Sequence, residues 1–153
     1  MLQECGIVYV TFLDDFSMTY NGKILDVSGI KSDKITELLA YIISHRYNNI
    51  SVGELSDAMW SDEESDNPAN ALKNLVYRTR GILKLCFGAT DFIKTGRGYY
   101  SWNRDVAVKT DSEEFERLYE KAGAESRYER RIEYQKRAVA YYKKHFLEQY
   151  TDC

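Results

Sequence analysis

Proline occurs once in the 153 residues and glycine nine times, so the chain is neither collagen-like nor a low-complexity linker. Cysteine is as sparse. Cys5, Cys86 and Cys153 stand far apart with no CxxC pair, which points to neither a zinc site nor a disulfide framework and suits a reducing cytosol. Long hydrophobic runs are missing too. The apolar stretch 6–13 stops at Asp14 and Asp15 and has no basic segment before it, so it reads as neither a signal peptide nor a membrane span. The only histidines, His45 and His145, lie beside Arg46 and Lys144 near expected helix ends, where an imidazole is a surface or capping group. No Ser/His/Asp spacing, phosphate-binding glycine loop or metal-ligand cluster is present. The expectation is a cytoplasmic protein that is not an enzyme and needs no cofactor.

What is there is a shift in pattern along the chain. Residues 7–13, IVYVTFL, are β-branched and aromatic, which predicts a strand. FSMTY alternates apolar and polar, and Asn21-Gly22 is a strong hairpin signal before a third strand, KILDV. The motif FLDDF imitates the opening of a phosphate-accepting receiver domain, but a hairpin follows where that fold needs a helix, so the acid pair reads as a turn. Helical spacing begins after Ser32, a candidate N-cap, with Ile35, Leu38, Leu39, Ile42 and Ile43 on one face. Ser51 and Glu54 have capping-box spacing at the head of a short second helix. The acidic loop SDEESDN leads to Asn67-Pro68, a helix opening in which proline sits where its missing N–H costs nothing. That third helix is expected over 68–87, closed by Gly88. FIKTGRGYYSW then predicts two strands around Gly96-Arg97-Gly98. From Asp111 the chain reads as helical, with Asp111 and Glu114 as a capping pair. A break at Gly123 leads to a second helix from about Ser126 to Lys144. The expected boundary divides residues 1–105 from a helical hairpin over 106–153.

Charge is distributed unevenly. The formal net charge of −3 gives no hint of nucleic acid. Yet Lys73, Arg78, Arg80, Lys84, Lys94, Arg97 and Arg104 face Asp91 alone between residues 73 and 104, while 54–66 holds six acids and no base. Such segregation creates a local field that the net charge hides. Wound at roughly 100° per residue, helix 68–87 gathers Leu72, Leu75, Val76, Thr79, Leu83 and Cys86 into a core arc. Asn70, Asn74, Tyr77, Gly81 and Lys84 fall opposite, flanked by Lys73, Arg80 and Arg78. Cations, amides and a phenol are the groups that meet DNA in a major groove, Arg at guanine, Asn at adenine, Lys and Tyr at phosphate. Lys94, Thr95 and Arg97 extend the basic surface onto the hairpin, whose Gly-flanked Arg97 suits a narrow minor groove. A solvated basic face is the competing account, and the charge segregation weighs against it.

The ordered series KSDKITELLAYII (31–43), SVGELSDAMW (51–60), NALKNLVYRTRGIL (70–83), FIKTGRGYYSW (92–102) and DSEEFERLYEKA (111–122) resembles the antibiotic-regulatory-protein type of transcriptional activator. That resemblance implies an α+β fold, an OmpR-like winged helix over 1–105 followed by the start of a tetratricopeptide-like bacterial transcriptional activator domain. It implies a sequence-specific regulator of the activator kind, binding double-stranded DNA at direct repeats through two protomers. In OmpR-like relatives the loop before the recognition helix can touch RNA polymerase. Asp62, Glu63 and Glu64 are therefore either polymerase contacts or part of a solvated connection. The alternative for the whole chain is a protein-interaction module on a winged-helix scaffold without DNA binding. A single helical hairpin cannot bury its own apolar face, so the expectation is a fragment of a longer protein, or a truncation that associates with a second copy through Ile132, Val139 and Tyr142.

Overall fold

β-Branched and aromatic residues at 7–11 leave the backbone extended, and in the computed structural model they open the element series. The structure describes residues 5–13, 15–26, 33–60 and 67–123, with 132 and 136. Along the chain run β1 (Ile7–Thr11), β2 (Ser17–Tyr20), β3 (Lys23–Ile24), α1 (Lys34–Ser44), β4 (Ile50–Ser51), α2 (Val52–Trp60), α3 (Pro68–Phe87), β5 (Ile93–Gly96), β6 (Tyr99–Trp102), β7 (Ala107–Thr110) and α4 (Asp111–Gly123). The fold is α+β, with four helices and two small sheets among the described residues. Residue contacts divide it into two units, Leu25–Val106 and the pair of flanking segments Met1–Ile24 and Ala107–Cys153. The first strands group with the segment after Val106 and not with the Leu25–Val106 unit. No helix among the described residues is long and apolar enough to cross a membrane.

In the flanking unit the sheet order is β3-β2-β1-β7. Asn21 and Gly22 both take positive φ, 50° and 78°, which matches the right-handed twist of the strands they join. The meander over β1, β2 and β3 is antiparallel as the alternation predicts. The parallel strand β7, pairing Ile7 with Ala107 through Val10 with Thr110, was not expected. Its sequence AVKT is short, and its partner lies at the far end of the chain, so no local pattern announces the pairing. The cap of α4 also differs from expectation. Thr110 Oγ1 accepts the Glu113 amide at 3.2 Å and donates to Glu113 Oε1 at 2.7 Å, while Glu114 pairs with Arg117 at 3.2 Å. Asp111 is instead fully buried, its carboxylate accepting the amides of Phe12 (2.8 Å), Leu13 (3.1 Å) and Ser112 (2.7 Å). Cys5 carries a disulfide, where the spacing of the cysteines suggested no framework, and Cys86 keeps a free thiol. Of the second helix expected over 126–144, the described residues hold only Ile132, half-buried, and Lys136, exposed, both helical; Val139 and Tyr142 lie outside them.

In the Leu25–Val106 unit, Ile35, Leu38, Leu39, Ile42 and Ile43 of α1 are all buried, as their spacing requires. The N-cap is Asp33; the candidate Ser32 lies outside the described residues. Ser51 Oγ accepts the Glu54 amide at 3.0 Å and caps α2 as predicted. Leu55 and Met59 of α2 point inward with Ser56, whereas Ala58 is exposed. The sheet order is β4-β6-β5, so the predicted hairpin gains a short third strand, with Ile50 opposite Tyr100 and Ser51 opposite Tyr99. Trp102 is buried, and its Nε1 donates to the Val106 carbonyl at 2.9 Å. Phe87 meets Phe92 edge-on at 5.8 Å, and Phe92 lies 5.6 Å from Trp102. This aromatic chain fixes the end of α3 against the hairpin.

Candidate nucleic-acid interface

Helix α3 begins where its sequence says it should. Pro68 is in the first turn, and Asn67 caps it by accepting the Asn70 amide at 3.2 Å. Gly88 ends it at φ 87°, its N–H bonded to the Lys84 carbonyl at 2.9 Å. The buried arc is Leu72, Leu75, Val76, Thr79, Leu83 and Phe87. Five of these match the expected arc, and Phe87 takes the place given to Cys86, which is half-buried. Thr79 satisfies its hydroxyl by donating to the Leu75 carbonyl at 2.8 Å, so a polar residue is tolerated in that arc.

The opposite face is open. Asn70, Lys73, Asn74, Tyr77, Arg78, Gly81 and Lys84 are exposed, Tyr77 at 80%. No acidic residue occurs in α3. Among the described residues, the side chains of Lys73, Arg78 and Lys84 take part in no ion pair or hydrogen bond. Arg80 is different. It is half-buried, and its Nη2 donates to the Ile93 carbonyl at 2.7 Å and to Thr95 Oγ1 at 2.6 Å. Two residues predicted to meet the same ligand are thus bonded to each other, tying α3 to β5. Arg80 and Lys84 also border a shallow pocket of about 260 Å³ completed by Leu83, Gly88, Ala89, Thr90, Asp91 and Phe92.

The hairpin carries the remaining candidates. Gly96 and Tyr99 are cross-strand partners, and a Cβ on Gly96 would fall within the Tyr99 ring. A larger residue there would have to displace the half-exposed Tyr99 ring, which glycine lets pack closely over the strand end. Gly98 takes φ 75°, and its carbonyl accepts the Val52 amide at 3.0 Å. Between these two constraints Arg97 is exposed, with no ion pair or hydrogen bond among the described residues. Lys94 is exposed and pairs with Asp91 at 3.0 Å. That ion pair is open to water, which limits its worth. Arg104, counted in the basic segment, turns away to the Tyr47 carbonyl (3.1 Å) and Asn49 Oδ1 (3.3 Å).

The chain matches no family model and no curated protein.

The acidic candidates Asp62, Glu63 and Glu64 lie outside the described residues. One exposed residue of the basic helix escaped the sequence reading. Leu85 is 89% exposed on the same side as Gly81. Helical spacing puts it there, a lone leucine among amides and cations.

Proposed function

We propose that the Leu25–Val106 unit is a winged helix that binds double-stranded DNA, with α3 in the major groove and the 95–99 turn at the minor groove or the adjacent phosphates. The observation that carries this reading is the outward face of α3, free of acids and holding three cations without partners among the described residues. Cations kept out of ion pairs are available to replace condensed counterions on DNA, the largest sequence-independent source of affinity. The order α1, α2, α3, β5, β6 supports the assignment of the last helix as the recognition helix and the hairpin as the wing. Within a longer regulator of the activator type, this unit supplies operator binding. Asp62, Glu63 and Glu64 are then the candidate contacts for RNA polymerase, and the helix from Asp111 begins a tetratricopeptide-like domain that brings two protomers to direct repeats. Such a protein works in the cytoplasm and carries out no catalysis.

A second reading is supported by Leu85 and Tyr77, two large exposed apolar surfaces on the same face. They suit a protein partner better than a phosphate wall. A mobility-shift assay with random-sequence duplex and heparin competition separates the two. DNA binding predicts a salt-sensitive shift that the combined change Lys73→Ala, Arg78→Ala and Lys84→Ala removes. A chain that shifts no duplex even at low salt would leave the interaction module standing.

A further inference from the structure

The outward face of α3 is not uniformly basic: its amides and its cations occupy different directions around the helix. Taking roughly 100° per residue, the direction opposite the buried arc is occupied by Asn70, Asn74 and Gly81, with the cations displaced to either side. Arg78 flanks one edge, and Lys73 and Lys84 the other. All of these side chains are exposed, and Arg80 is withdrawn to Ile93 and Thr95. A Cβ built on Gly81 would meet nothing within 4 Å, so the only polar side chains on the ridge are the two amides, with Leu85 and Tyr77 exposed beside it. Among the described residues, Asn74 makes no side-chain hydrogen bond, and neither does the amide of Asn70, whose backbone N–H alone is taken by Asn67.

In a helix lying in a groove, the ridge opposite the core meets the floor and the flanks meet the walls. The floor of the major groove is base edges and its walls are phosphates. We infer that Asn70 and Asn74 are the base-reading residues of α3 and that the base they read is adenine, leaving Arg78, Lys73 and Lys84 to the phosphates. An asparagine amide donates to adenine N7 and accepts from adenine N6, a pairing that guanine cannot reproduce because it presents two acceptors. Both residues sit in the first half of the helix, the end from which helices of this kind reach base edges. They are one turn apart, about 6 Å along the axis, so the two adenines fall within about two base-pair steps, on either strand. This assignment rests on the DNA-binding reading above.

The test is selection of bound duplexes from a random pool by the full chain, followed by affinity measurements on the winning site with 7-deazaadenine, which lacks the N7 acceptor, at each adenine. The expected motif contains two A·T pairs within that spacing. Asn74→Ala and Asn70→Ala should each erase the preference at one of them, a loss of about 5- to 150-fold in discrimination, with the salt dependence unchanged. 7-Deazaadenine at the same positions should weaken the parent protein and leave the matching variant unaffected, a readout independent of how the variants fold. A motif read as G·C pairs, or one indifferent to both substitutions while salt-sensitive binding persists, overturns the adenine assignment alone. Absence of salt-sensitive binding by the parent protein overturns the DNA reading with it.

Discussion

Replacing Arg80 by alanine separates a structural cation from a DNA-contacting one. The guanidinium donates to the Ile93 carbonyl at 2.7 Å and to Thr95 Oγ1 at 2.6 Å. Hydrogen bonds from a charged donor are worth about 1.5–3 kcal/mol each at most, but this group is half-exposed, so solvent screening reduces the figure. The Thr95 hydroxyl is exposed and can turn to water. The Ile93 carbonyl belongs to a fully buried residue and loses more. The expected cost is about 1–2 kcal/mol, mostly from that carbonyl. For a domain of this size it lowers Tm by roughly 4–8 °C per kcal/mol, measurable by circular dichroism in parallel with urea unfolding. The same change should weaken DNA binding by loosening the hairpin against α3, without altering the dependence of affinity on salt. Lys84→Ala is the contrast: no change in stability, and a salt slope smaller in magnitude by about 1. If Arg80→Ala leaves stability untouched and reduces the slope by a full contact, the bonds to β5 are not what holds this arginine.

Asp111→Ala should cost about 3–5 kcal/mol, since it strands the Phe12 and Leu13 amides that the buried carboxylate accepts; urea unfolding reports it, and Asp111→Asn should recover part of the loss. Arg97→Ala should reduce affinity most at sites flanked by A·T-rich sequence with a narrow minor groove; an equal loss on G·C-rich flanks makes Arg97 a phosphate contact. Glu63→Lys with Glu64→Lys should keep or strengthen DNA binding while transcription activation falls in a reconstituted assay; full activation makes the 61–66 segment a plain connection.

The parts of the fold set by local chemistry were readable in advance. Helix α3 shows this best. Asn67-Pro68 and Gly88 mark its ends, and the apolar period marks its inner face. The type I′ signal at Asn21-Gly22 and the Ser51 cap of α2 belong to the same class, because each depends on residues a few positions apart. What escaped depends on distant partners. Strand β7 exists because β1 offers it an edge, and Asp111 reads as a helix cap until the amides of Phe12 and Leu13 are found against it. The candidate site divides in the same way. Exposure of Asn70, Lys73, Asn74, Tyr77, Arg78 and Lys84 follows from helical geometry alone. The withdrawal of Arg80 to Ile93 and Thr95 follows from how the hairpin packs beside α3, which no spacing within the helix encodes.

The central claim is that unpaired cations on α3 and the hairpin turn bind the DNA backbone. Fluorescence anisotropy of a labelled duplex, titrated with the full chain over a series of salt concentrations, tests it most directly. Lys73, Arg78, Lys84 and Arg97 replacing counterions predict that log Kobs falls against log salt with a slope of about −3 to −4 per protomer. A slope near zero, or no binding at low salt, would contradict the account.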